Sequence, residues 1–262
     1  MQIGSPTMTT TPLLEAREVT KRFGAVEALR GASFQIFPGE VVALMGDNGA
    51  GKSTLIKTIC GVNSPDGGEV RFEGRSIAGW HPKAVQALGI ETVYQDLALA
   101  PDLDTPANLF LGRERLKPGI LGALGVLAKK SMRAEASQVL KDLSVKIKDE
   151  TAPISNLSGG QQQSVAVARA VSWADKLVIM DEPTAALGVP QTQAVLALID
   201  RVRDSGRSVV LISHSLPDVM QVADRIEVLR LGRRVAQLVT RETNEEQIVG
   251  AMTGAWTQEV AA

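Results

Sequence analysis

Apolar and polar positions along the chain follow two rhythms. Three short runs, at 41–45, 177–180 and 209–212, are apolar at every position and carry no charge. A strand covered on one face alternates apolar with polar residues, whereas one covered on both faces is apolar throughout. These runs therefore predict parallel strands inside an α/β sheet. Residues 13–37 behave differently: they alternate, contain Gly24 and Gly31, and show no helical repeat. That pattern predicts antiparallel β structure leading into a turn at Pro38-Gly39. Pro65-Asp66-Gly67-Gly68 predicts a second turn before a strand at 69–72, and 226–229 and 234–239 read as two strands joined at Gly232.

The second rhythm is helical. Met132, Val139, Leu140 and Leu143 share one face of a helix predicted over 131–143, and Val195, Ile199 and Val202 repeat at the same spacing. Residues 96–158 read as mainly helical, with the glycines between 117 and 128 predicting a loop. The length fits one large domain over 13–254, with 96–158 as a helical subdomain between loose tails at 1–12 and 255–262.

Charge and composition exclude several classes. There are 28 Lys and Arg against 29 Asp and Glu, a net charge of −1, and only nine aromatic residues. A nucleic-acid binder needs basic excess for phosphates and aromatic faces for bases, so this balance argues against that partner. One cysteine, Cys60, cannot form an internal disulfide, and two histidines are too few for a zinc site. The N-terminus lacks the basic-then-apolar order of a secretory signal. The most apolar short run, 118–128, is too short to cross a bilayer and contains three glycines. Any membrane role is therefore expected to run through a partner.

Three segments carry chemistry. Gly46-Asp47-Asn48-Gly49-Ala50-Gly51-Lys52-Ser53 fits G-x-x-x-x-G-K-[ST] between a predicted strand and the helical run 54–60. Its glycines free backbone N–H groups to face phosphate oxygens at a helix N-terminus; Lys52 can reach the β- and γ-phosphates, and the Ser53 hydroxyl can ligate Mg²⁺. The strand at 177–180 runs into Asp181 and Glu182. Such a pair alone is commonly a solvated loop end. Beside a phosphate loop, Asp181 is suited to hold Mg²⁺ and Glu182 to deprotonate a water. Leu157-Ser158-Gly159-Gly160-Gln161 opens a helix predicted over 162–171. Ser158 and Gln161 satisfy a capping box, but two glycines in the first turn each cost about 1 kcal/mol against alanine, and a cap does not require them. Bare backbone suits close approach of an anion, which predicts a second phosphate-binding helix start, one that takes a partner subunit's nucleotide.

Residues 46–53, Gln95, 157–161, Asp181-Glu182 and His214 occur in the order and spacing of the ATP-binding-cassette (ABC) ATPases, and the chain resembles that family from about Leu13 to Gly254. The resemblance implies an α/β P-loop fold with a RecA-like core, an antiparallel β subdomain and a helical subdomain. It also implies a head-to-tail dimer that holds two ATP between phosphate loops and opposing 157–161 segments. Phe23 matches the aromatic that stacks on adenine, and 46–53 with Thr54 match the triphosphate cradle. Ser53, Gln95 and Asp181 match the Mg²⁺ contacts, and Glu182, His214 and Gln95 the catalytic positions. One departure stands at Gly188, where many members carry Asp. A GTPase or P-loop kinase would lack 157–161. A soluble ABC ATPase of translation or DNA repair would show tandem cassettes, a coiled coil or zinc cysteines; an exporter ATPase is commonly fused to membrane spans.

A narrower resemblance rests on 46–51, the run 89–99, Asn108-Leu109-Phe110-Leu111-Gly112-Arg113-Glu114 and 180–189. These are similar to ATP-binding subunits of bacterial monosaccharide importers, the fructose-type members of which carry one cassette per chain. The implied partners are a second copy of the chain, a membrane permease whose cytoplasmic helix meets 96–113, and, through it, an external sugar-binding protein. The implied location is peripheral, on the cytoplasmic face of the inner membrane, with no nucleic acid bound.

Overall fold

The computed structural model describes residues 11–256. Most of the tail expected at 1–12, the end of the tail at 255–262, and the stretch read for a secretory signal lie outside them. The chain begins with β1 (Leu14–Phe23), β2 (Val26–Ile36), β3 (Val41–Met45) and α1 (Lys52–Ile59). Next come β4 (Gly67–Phe72), β5 (Arg75–Ser76), α2 (Pro82–Gln86) and β6 (Ile90–Val93). A helical stretch follows, with α3 (Thr105–Leu109), α4 (Ile120–Ala123), α5 (Lys129–Asp142) and α6 (Gly159–Trp173). The remainder is β7 (Leu177–Asp181), α7 (Val189–Asp204), β8 (Ser208–Ile212), α8 (Leu216–Val222), β9 (Arg225–Arg230), β10 (Arg233–Val239) and α9 (Glu245–Thr253).

Two sheets result. The first is antiparallel, in the order β2-β1-β4-β5; the second runs β10-β9-β3-β8-β7-β6 and is parallel except for the β9–β10 pair. The three charge-free runs occupy adjacent central positions β3, β8 and β7, as strands buried on both faces must. Their side chains divide by the two-residue period: Val41, Ala43 and Met45 join one core cluster, Val42 and Leu44 the other. Helices α6, α7 and α9 lie in the first cluster, while α1 and the antiparallel sheet fill the second. A third cluster of Leu109, Phe110, Met132, Ala136, Ile154 and Val165 holds the helical stretch on α6. Along α5, Met132 and Leu140 of the predicted face are buried together with Ala136, at intervals of four; Val139 is only partly buried, and Leu143 is buried at the helix C-cap.

Several features depart from expectation. Residues 96–158, read as mainly helical, contain α3, α4 and α5 with most of the remainder in turns and loops. Strand β6 was not marked by the pattern, because only four residues separate Gly89 from an irregular stretch. The loop expected at 117–128 contains the one-turn helix α4, held under an antiparallel bridge from Leu116 to Leu127.

Candidate functional site

The parallel ladder brings distant residues to one edge. Leu44 on β3 and Asp181 on β7 both pair with Ile212 on β8, and Met180 pairs with Val93 on β6. Gly46, His214, Glu182 and Gln95 each lie two residues beyond those positions, so all four leave the sheet at its C-terminal ends. Ligands of open parallel sheets bind there, because helix N-termini and loops converge at that edge.

The phosphate loop takes backbone conformations open to glycine, with φ of +146° at Gly46 and +105° at Gly51. Space also demands it: a Cβ on Gly46 would stand 2.1 Å from the Leu229 carbonyl oxygen, and one on Gly51 2.9 Å from that of Ala28. The loop is thus wedged between β9 and β2. Asp47, Asn48, Gly49 and Ser53 are exposed, while Ala50 is buried and its carbonyl accepts from the Gly232 N–H at 2.9 Å. Lys52 Nζ donates to the Gly46 and Asp47 carbonyls at 2.6 and 3.2 Å, which holds the ammonium over the loop's concave side. Thr54 follows in the first turn of α1.

Glu182 has φ +51°, unusual for a residue with a side chain, and its N–H donates to Ile212 O at 2.9 Å. That turn brings its carboxylate 2.8 Å from His214 Nδ1, so glutamate and imidazole orient each other. Asp181 is half-buried. Desolvation first, then the adjacent Glu182 charge, push its carboxyl above the usual range, while Lys52 and Lys57 pull it down. Two neighbouring carboxylates facing a lysine-bearing loop make a place where a cation is favoured. Among the described residues no cluster of three or more His, Cys, Asp or Glu could hold a metal by itself. The donor set on this edge is the Ser53 hydroxyl, the Asp181 carboxylate and the exposed Gln95 amide, all hard oxygen donors. That set suits Mg²⁺ carried in with a nucleotide's phosphates.

Phe23 ends β1 at the tip of the β1–β2 hairpin, where it pairs with Val26 and is 48% exposed, with Lys21 Nζ 5.6 Å from the ring centroid. It is therefore not a core residue, and the Lys21 ammonium lies over its ring.

The 157–161 segment starts α6. Ser158 Oγ accepts from the Gln161 N–H, and Gln161 Oε1 accepts from the Ser158 N–H at 3.0 Å, closing the capping box. Its two glycines differ. A Cβ on Gly160 would lie 2.7 Å from Gln191 Cγ, so close packing of α6 on α7 already accounts for that residue; a Cβ on Gly159 would meet only Leu187, at an ordinary 3.7 Å. The anion argument thus rests on Gly159 alone. Leu157 packs against the third core cluster, which anchors this helix start to the helical stretch, while the phosphate loop is anchored to β2 and β9.

Sequence reasoning missed several supporting residues. Thr184 Oγ1 bonds Asp218 Oδ2 at 2.6 Å, tying the loop after Glu182 to the helix after His214. Arg169 of α6 donates to the Leu97 and Ala98 carbonyls at 2.9 and 2.7 Å, clamping the stretch that follows Gln95. Arg113 pairs with the buried Glu91 of β6 and stacks 4.8 Å from the Trp173 ring. These partners are 22 to 72 residues apart, and spacing offers no signal for them.

A strand–glycine loop–helix unit beside an Asp-Glu strand end, with a glycine-opened capping-box helix, defines an ATP-binding cassette. The chain belongs to the ABC transporter family, whose model matches residues 29–185. The cassettes of this family are ATPases, and this chain is one of them. It is 48% identical over 250 residues to a fructose import ATP-binding protein of Rhizobium meliloti, covering 95% of this chain and 96% of that one. It is also 48% identical to a xylose/arabinose import ATP-binding protein of Sulfolobus acidocaldarius, covering 92% and 94%. Against a ribose import ATP-binding protein of Geobacillus kaustophilus, at 41% identity, it spans 48% of the relative's length. Among solved structures, an ABC transporter cassette in its ADP conformation superposes with a TM-score of 0.79 at 28% identity, over 93% of this chain and 96% of that one. A dimeric cassette in a post-hydrolysis state, bound to ADP and Pi, superposes with a TM-score of 0.73 at 26% identity, over 87% and 99%.

Proposed function

We propose that this chain is the ATP-hydrolysing subunit that drives import of a monosaccharide through a membrane permease. The observation that carries this reading is its 48% identity to a fructose import ATP-binding protein over nearly the full length of both chains. The near-full coverage of both chains also supports one cassette per chain, over 13–254; in this reading 96–158 is its helical subdomain and a second copy completes the ATP sites.

In this reading the backbone of 46–51 and Lys52 bind the β- and γ-phosphates, Thr54 and Ser53 line the helix start, and Phe23 stacks on adenine. Ser53, Asp181 and Gln95 would hold Mg²⁺, which when bound neutralises phosphate charge. Glu182 accepts the proton of an attacking water, and His214 holds the carboxylate in place from the neighbouring strand end. The partner's Leu157, Ser158, Gly159, Gly160 and Gln161 close over the γ-phosphate. Dimer closure on ATP and reopening after hydrolysis pass to the permease through 96–113, which Arg169 ties to α6. No helix among the described residues is long and apolar enough to cross a membrane. In this reading the subunit sits peripherally, on the cytoplasmic face, beneath a permease served by an external sugar-binding protein, a place suggested by its likeness to import ATP-binding proteins.

The test is uptake of labelled fructose, ribose and xylose by cells lacking the gene. The intact gene should restore uptake of at least one sugar, and the Lys52→Ala variant should not. Uptake unaffected for all three would refute the monosaccharide reading.

A further inference from the structure

We propose that the excursion at 113–130 seats on an anionic lipid surface. In this arrangement Ile120 and Leu124 enter the boundary between headgroups and acyl chains, and Lys117, Lys129 and Lys130 meet phosphate headgroups. The inference is independent of which solute the transporter carries. It revises the expectation that this chain meets a membrane only through a partner.

The excursion is folded. The Lys117 N–H donates to Val126 O at 2.8 Å and the Ala128 N–H to Arg115 O at 2.7 Å, forming a short antiparallel stem. On that stem sits α4, closed by Leu124 N–H to Ile120 O at 3.1 Å and Val126 N–H to Leu121 O at 3.0 Å. Gly122 is the turn's inward residue: a Cβ there would lie 1.8 Å from the Lys117 carbonyl oxygen. With the small residue inside, the large apolar ones face outward. Ile120 is 79% and Leu124 74% exposed, with Leu116 and Leu121 half-exposed beside them, and none of the four belongs to a core cluster. A single exposed leucine is ordinary; several contiguous ones on a structured projection mark a contact surface.

Charge identifies the partner. Residues 113–133 hold six basic side chains and one acidic, in a chain whose net charge is −1. Arg113, Arg115 and Arg133 are paired with Glu91, Glu135 and Asp104. Lys117, Lys129 and Lys130 are exposed and enter no ion pair among the described residues. An apolar turn bracketed by uncompensated lysines complements a plane of anionic headgroups with hydrocarbon beneath it. The run 118–128 is too short to span a bilayer, but interfacial seating needs only one apolar turn. The projection is convex, which suits a deformable lipid surface better than a preformed protein socket.

The experiment is sedimentation of the purified full chain with vesicles of phosphatidylcholine alone, or of phosphatidylcholine mixed with phosphatidylglycerol. Binding is expected to the mixed vesicles only, and to weaken as salt rises. Lys117→Ala and Lys129→Ala should each weaken it about fivefold, and Ile120→Ser with Leu124→Ser by about tenfold or more. ATP binding and basal ATPase should stay at wild-type levels in all of them, which establishes that they fold. Failure of the wild-type chain to bind the mixed vesicles, or variants that bind them as well as wild type, would overturn the proposal. So would variants that keep vesicle binding but lose assembly with a permease, because the surface would then belong to a protein partner.

Discussion

At the residue scale, the site depends on a few side chains whose neighbours set their chemistry. Glu182 leaves its strand in a left-handed turn and meets His214 at 2.8 Å. If it is the general base, Glu182→Gln should bind ATP normally yet lose about 100-fold or more of its turnover, since an amide cannot take the water's proton. ATP should then hold the variant as a dimer on size-exclusion chromatography; near-normal turnover would remove Glu182 from the mechanism. A second carboxylate matters for stability instead. Glu227 of β9 is fully buried, and burial pushes its pKa up to about 7, against opposing pulls from Arg234 and Arg225 and the Gln35 N–H. A carboxyl raised above its ordinary 4.5 favours the folded state when protonated. Its contribution is complete below pH 4.5 and is lost as pH rises through about 7. The wild-type thermal midpoint should therefore fall across that window relative to Glu227→Gln, and parallel curves for the two proteins would refute the assignment.

At the scale of elements, the start of α6 separates packing from function. Gly160 is bare because Gln191 of α7 leaves no room for a Cβ, whereas Gly159 has room for one. Gly160→Ala should destabilise the protein by about 1–3 kcal/mol through overpacking. Gly159→Ala should leave stability unchanged or raise it by up to about 1 kcal/mol from helix propensity, while lowering ATPase activity if a partner's phosphate approaches there. Thermal melts and ATPase assays on the two variants check this; equal loss of stability in both would mean the whole first turn is built for packing. The departure at Gly188 also belongs to this scale. It stands at the N-cap of α7 with no side-chain bond, where an Asp could accept from the helix's free N–H groups.

At the scale of the whole molecule, the described residues carry one phosphate loop on the sheet and one glycine-opened capping-box helix start, that of α6, on the helical stretch. Composite sites across a dimer predict complementation. Lys52→Ala and Ser158→Arg should each inactivate a homodimer. Mixing them gives heterodimers with one interface carrying both lesions and one with an intact pair, so a one-to-one mixture that exchanges at random should regain about a quarter of the ATPase activity of a two-site dimer. Sites completed within each chain would leave every site damaged, and mixing would restore nothing. Covalently linked pairs with one wild-type half show whether a single intact site turns over.

The sequence by itself determined the charge-free strands, the amphipathic α5, the phosphate loop between β3 and α1, and the acidic end of β7. Each rests on local periodicity or on a contiguous motif, which no distant residue is needed to read. It also made Asp181 and Glu182 candidates, and the resemblance to the ABC family added Gln95 and His214, without showing that the four share an edge. That convergence was decided by the register of β3, β8, β7 and β6, a property of long-range pairing. Only the tertiary structure separated the two glycines of α6, because the atoms that exclude a Cβ come from α7. It alone paired Thr184 with Asp218 and Arg169 with the carbonyls after Gln95, and it alone buried Glu227. Likewise the apolar run 118–128 could be read only as too short to span a bilayer; packing turned Gly122 inward and left Ile120 and Leu124 in solvent. Local pattern fixes which elements form, while burial and proximity are set by contacts between residues far apart in the chain.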